Sequence, residues 1–165
     1  MLYLGLDIST SILGISVIDK DLKLIEMNHI DLRKIKCIFE KAKKVEEVLE
    51  NIFEYYTISA VAIEDTLQSF SRGLSSARTL MQLSRFNGIV SNIAYRLSGL
   101  IPEYINVNTC RKILKIKIDK NSDIDKKEQL VNWVDKDLNG YKWPKRTILR
   151  GKEKGLIKLE KFCYD

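Results

Sequence analysis

Hydrophobic and polar positions change at short range along the first thirty residues. Residues 2–8, LYLGLDI, form an apolar run of strand formers, and residues 12–19, ILGISVID, form another. The polar turn Ser9-Thr10-Ser11 between them predicts a hairpin. Asp19-Lys20-Asp21 marks a second turn, and residues 22–30, LKLIEMNHI, alternate as a third antiparallel strand. The period then lengthens. Ile38, Phe39, Ala42, Val45, Val48, Leu49, Ile52, Phe53 and Tyr56 recur at three and four with Lys and Glu between them. That predicts an amphipathic helix over 35–56 with one buried face. Residues 59–63, SAVAI, read as a short buried strand ending at Glu64-Asp65.

Residues 66–76 carry Ser, Gly and polar side chains around Phe70, which predicts a loop. Ser75 or Ser76 can cap a helix that runs to about Leu97. Its stripe of Leu80, Leu83, Asn87, Val90, Ala94 and Leu97 can face the sheet or a partner helix. Gly88 in mid-helix costs ~1 kcal/mol relative to Ala, which points to close packing there. After Pro102, residues 103–107 read as a fifth strand. Asn108 or Thr109 caps a short helix through Leu114, and Asp123 or Asp125 opens another through Leu138. Residues 139–155 are basic and loop-like, and 156–164 read as a final helical stretch. There is no internal repeat and no linker, so residues 1–165 are expected to form a single domain.

Composition narrows the class. A chain that is 45% hydrophobic and 30% charged is an ordinary globular sequence. No apolar run approaches ~20 residues, and the N-terminus shows no secretion signal. The net charge of +6 is uneven, with basic runs after residue 109 in which Trp133, Tyr141, Trp143 and Tyr164 interleave. That mixture favours nucleic acid over a merely solvated face. Cys37, Cys110 and Cys163 fit neither a zinc spacing nor a disulfide framework, and each is expected to be a small buried residue in a reducing compartment. His29 is the one histidine and sits in a strand pattern. Multi-histidine metal sites are therefore excluded, and catalysis must run on carboxylates, lysines or hydroxyls.

Two carboxylates stand out. Asp7 closes the first apolar strand and Glu64 closes SAVAI. Each has an ordinary alternative, Asp7 as a turn cap and Glu64 as a strand end. If the two strands are parallel neighbours, the acids sit side by side, and a divalent cation relieves their repulsion. The order of three strands, helix, strand, helix, strand and helices is that of the RNase H-like α/β fold, a mixed five-stranded sheet flanked by helices.

These residues also match a family pattern. GLDISTSILGISVID resembles the first hairpin of RuvC-type Holliday junction resolvases. IEDTLQSFSRGLSSARTLMQLSRFNGIV resembles their second motif, in the form found in phage resolvases. INVNTCRKIL and DKKEQLVNWV resemble the following strand with its basic turn and a helix with a Lys near its start. The resemblance implies a metal-dependent endonuclease that cuts four-way or branched DNA as a homodimer, paired through the helix over 76–97. It implies Mg²⁺, two ions per site and replaceable by Mn²⁺, with no small-molecule cofactor and no membrane partner. Asp7, Glu64 and Asp165 become catalytic metal ligands. Phe70 becomes a wedge at the junction centre, and Arg72, Arg111, Lys112, Lys126 and Lys127 become DNA contacts. A cytoplasmic or other reducing, DNA-containing compartment is expected, and a phage-encoded source fits. The family closes with a helix carrying two Asp three residues apart. Asp165 matches the first and the sequence ends there, so the expectation is a domain lacking the end of that helix and a slow nuclease. The alternatives are a non-cleaving DNA-binding protein of the same fold, or half of an actin-like sugar kinase, whose phosphate-binding opening resembles LYLGLDISTSILGISVID.

Overall fold

The computed structural model describes residues 1–65, 77–119, 121–137, 145–147, 149 and 157–159. The chain divides into two compact units, Met1–Cys110 and Arg111–Asp165. The first unit contains β1 (Leu2–Asp7), β2 (Ile12–Asp19), β3 (Leu24–Asp31), α1 (Ile38–Tyr55), β4 (Ile58–Glu64), α2 (Ala77–Ser98) and β5 (Glu103–Ile105). A short helix, α3 (Val107–Ile113), crosses the boundary. The second unit holds α4 (Lys126–Asp137) and a hairpin of β6 (Lys145–Thr147) and β7 (Ile157–Leu159).

The main sheet has the order β3-β2-β1-β4-β5. β1, β2 and β3 form an antiparallel meander, while β4 and β5 continue the sheet parallel to β1. Period-two alternation gives the sheet one apolar face. Leu4, Leu6, Leu13, Ile15, Val17, Val61 and Ile63 are buried on it. Ala42, Val45, Leu49 and Ile52 of α1 and Phe86, Val90, Ile93 and Ala94 of α2 complete that core. Each fully buried aliphatic or aromatic side chain contributes ~1.5–3 kcal/mol relative to exposure, so both helices are held by their apolar stripes.

Helix ends follow local chemistry. Gly99 takes φ +69° and its N–H donates to the Tyr95 carbonyl at 2.8 Å, a left-handed stop for α2. Asn106 caps α3, its Oδ1 accepting from the N–H of Asn108 at 2.9 Å. The capping residue is thus two or three positions earlier than the sequence pattern placed it. Asp125 caps α4 by accepting from the N–H of Lys127 at 2.8 Å.

Three expectations need correction. Residues 157–159 are a strand and not part of a final helix. Ile157 and Leu159 alternate about Lys158, and all three pair with Lys145–Thr147. Cys37 is exposed and Cys110 only half-buried, because Cys37 sits at the mouth of α1, outside the apolar stripe. Gly88 faces outward, and a Cβ there would meet nothing within 4 Å. Close packing within a single copy of the chain is therefore not its reason. Gly88→Ala is expected to stabilise the protein by ~0.5–1 kcal/mol, read as a higher urea midpoint with an unchanged slope.

Candidate active site

The β1–β4 ladder positions the two acids. Its last pair is Leu6↔Ile63, both buried on the core face. One step further the chain presents Asp7 and Glu64, both exposed on the opposite face. The strands are parallel, so the two side chains leave the sheet in the same direction, one strand spacing (~4.8 Å) apart. Asp7 and Glu64 are thereby brought together at the carboxyl-terminal edge of the sheet.

Small residues keep that face low. Gly5 and Gly14 lie beside or opposite the site, and Ser16 and Ala62 are only half-buried. Gly14 pairs with Asp7, and a Cβ at Gly14 would stand 3.4 Å from the Asp7 Cβ. An alanine is therefore accommodated there, but a branched side chain is not. Gly14→Leu is expected to cut turnover ~10-fold or more by displacing the Asp7 carboxylate, with a far smaller loss for Gly14→Ala in the same cleavage assay.

A buried polar pair fixes the end of β4. Asn87, 4% exposed, donates from Nδ2 to the Glu64 carbonyl at 3.3 Å. Ser91 Oγ donates to the Asn87 carbonyl at 2.7 Å. Asn87 belongs to the stripe of α2 that the sequence pattern marked as apolar. A polar residue in such a stripe is the signal that could have identified it, because buried amides require partners. At the end of β3, the Arg33 guanidinium grips Asp31 at 2.6 and 2.9 Å and holds its carboxyl well below the ordinary range.

Phe70, Arg72 and Asp165 lie outside the described residues. Arg111 and Lys112 lie on α3, and Lys126 and Lys127 begin α4, all in the second unit. Lys112, Lys126 and Lys127 are exposed. Arg111 is half-buried, and its Nε has no hydrogen-bond partner among the described residues. Among the described residues no group of three acids, histidines or cysteines could enclose a metal ion. The pair Asp7 and Glu64 still fits a hard divalent cation, since it offers adjacent carboxylate oxygens on a rigid sheet.

No protein-family model matches the chain. A crossover junction endodeoxyribonuclease RuvC from Christiangramia forsetii is 28% identical over 147 residues, covering 87% of this chain and 71% of that protein. The structure of Thermus thermophilus RuvC in complex with a Holliday junction substrate superposes with a TM-score of 0.66 at 16% identity, covering 93% of this chain and 85% of that one. A second structure of Thermus thermophilus RuvC gives 0.61 at 18% identity, with 93% and 86% covered. The chain is thus similar in sequence to the Christiangramia forsetii protein and shares the fold of the Thermus thermophilus structures. The resemblance read from its motifs is borne out, and so is the mixed five-stranded RNase H-like sheet. None of the described helices of this RuvC-like chain is long and apolar enough to cross a membrane.

Proposed function

We propose that this chain is a structure-selective endonuclease that cleaves four-way or branched DNA by metal-assisted phosphodiester hydrolysis. The observation that carries the reading is that Asp7 and Glu64 stand side by side, one step past the last ladder pair of adjacent parallel strands, in a RuvC-like fold. Asp7 and Glu64 would hold a divalent cation, for which Mg²⁺ is the proposed ion and Mn²⁺ a substitute. When bound, such a cation would favour loss of a proton from the attacking water and would neutralise charge building on the phosphate. Asn87 keeps the Glu64 strand end in register by its bond to the carbonyl. Asp165 is proposed as a further carboxylate. Arg72, Arg111, Lys112, Lys126 and Lys127 are proposed to hold phosphates, and Phe70 to wedge the junction centre. Recombination and repair are the processes such an activity serves.

A homodimer is part of the proposal, since two equal cuts in a two-fold symmetric junction call for two equal sites. The stripe that contains Asn87, Val90 and Ala94 is spent on the core. A different one remains on α2: Met81, Arg85, Gly88, Asn92 and Tyr95 are all exposed and spaced four, three, four and three apart, the period of a helix-pair seam.

The decisive assay offers a synthetic four-way junction and a matched linear duplex with Mg²⁺ or Mn²⁺. The junction is expected to yield paired, symmetrically nicked products that EDTA suppresses, with the duplex left intact. Junction binding without cleavage in either metal would overturn the nuclease reading and leave a DNA-binding protein of the same fold.

A further inference from the structure

We infer that the segment Arg33–Lys44, between β3 and the second turn of α1, is a second DNA-binding surface, one that tracks the phosphates of the strand leaving the Asp7–Glu64 edge. The inference rests on the proposed action on DNA, and it adds contacts in the first unit to those proposed after residue 109.

The segment is dense in charge. Arg33, Lys34, Lys36, Lys41, Lys43 and Lys44 stand against a single acid, Glu40. All six cations except Lys41 are exposed. Arg33 is held by Asp31, Lys44 approaches Glu47 at 3.4 Å, and Lys41 donates to the Thr10 carbonyl. Lys34, Lys36 and Lys43 make no ion pair with any described residue. Their charge is therefore available to a polyanion.

The fold places this charge at the site. Asp31 ends β3 at the same sheet edge at which Asp7 ends β1, since β3 and β1 run parallel on either side of β2. The segment is also fastened there. The Leu32 N–H donates to the Ser11 carbonyl at 2.8 Å and the Ile35 N–H to the Leu32 carbonyl at 3.1 Å. Lys41 ties the first turn of α1 to Thr10, three residues after Asp7. A DNA strand seated on Asp7 and Glu64 that continues toward β3 meets Arg33, Lys34 and Lys36 first.

The charge order of α1 argues that this placement serves a partner and not the helix. After Glu40 in the first turn, Lys41, Lys43 and Lys44 come before Glu46, Glu47, Glu50 and Glu54 along the helix. The helix dipole favours the reverse order, acids first and cations last. α1 has no basic residue in its last turn. Helix stability alone would not select this arrangement, whereas an anion bound beside the N-terminal half explains it.

The test measures binding of the full chain to a synthetic four-way junction in EDTA, by fluorescence anisotropy across a series of salt concentrations. The variants are Lys34→Gln/Lys36→Gln/Lys43→Gln and, for comparison, Lys20→Gln/Lys23→Gln at the far end of the sheet. Each lost phosphate contact lowers the slope of log K against log salt by ~0.9. The triple variant is expected to lose ~2–3 from the slope and roughly 10- to 100-fold in affinity at ~0.1 M salt, with an unchanged circular dichroism melt. The comparison variant should match wild type. A triple variant with wild-type slope and affinity overturns this inference and leaves the proposed function standing. Wild-type protein that fails to bind the junction overturns both.

Discussion

Asp7→Asn is expected to abolish metal-dependent junction cleavage, by roughly 10²-fold or more, while the protein folds and binds junction DNA as before. The asparagine keeps the size of the side chain but removes the charge that a hard cation requires. Mg²⁺ tolerates little departure from octahedral oxygen geometry and sheds its waters reluctantly. A displacement of reacting groups by about 1 Å already costs ~10²-fold in rate. Stability should move the other way or not at all. Asp7 and Glu64 are like charges on neighbouring strands, and removing one charge relieves their mutual repulsion. The variant is therefore expected to melt at the same temperature as wild type or slightly higher. Raising the Mg²⁺ concentration should stabilise wild type and leave the variant unmoved, because only the wild-type pair binds the ion. Wild-type cleavage by Asp7→Asn would remove Asp7 from the mechanism.

Phe86→Ala is expected to destabilise the protein by ~3–5 kcal/mol. Phe86 is completely buried and is the largest fully buried side chain among the described residues. It is also the first buried residue along α2. Truncation leaves a ring-sized void between that helix and the sheet, and both walls are regular elements that cannot easily collapse into it. Since domain stabilities are ~5–15 kcal/mol in all, the variant would keep little margin. A fall of some 15–30 °C in melting temperature is expected for a unit of this size. The neighbouring bond from Asn87 to the Glu64 carbonyl is part of the same helix–strand contact. Cleavage should therefore fail at temperatures below the melt, with an earlier loss of activity than of helical circular dichroism. A melting point within a few degrees of wild type would show that α2 contributes less to the core than its burial implies.

The elements that the sequence made legible are those with a sustained period. The meander alternates at two over three strands, and α1 and α2 repeat at three and four over five turns or more, so core burial enforces both patterns. The pairing of Asp7 with Glu64 could be anticipated because each acid closes an apolar strand. Their adjacency required knowing that β1 and β4 are neighbours, and only the element order supplied that. The hairpin of β6 and β7 could not be read, because three residues per strand carry less than two alternations. Gly88 misled because a helix interior makes any glycine look like a close contact, whereas here it lies on the outward face. The basic segment before α1 reads in the sequence as filler within the helix pattern. The reversed charge order becomes informative only once the helix start is known to lie beside the carboxylates.

Among the described residues β3 and β5 are the outer strands of the sheet, and they differ in how they could recruit another chain. β5 is only three residues long, too short to template much of a foreign strand. β3 is eight residues long, but its register against β2 shifts between Val17 and Ile18, and Glu26, Asn28 and Asp31 punctuate it. Irregular pairing and polar side chains along an outer strand discourage a second copy from docking edge to edge. A nuclease proposed to bring more than one copy to the same DNA gains from this. Its monomers can crowd on one substrate without joining into continuous sheets, and it should remain dispersed under conditions where a smooth, apolar outer strand of the same length would seed fibres.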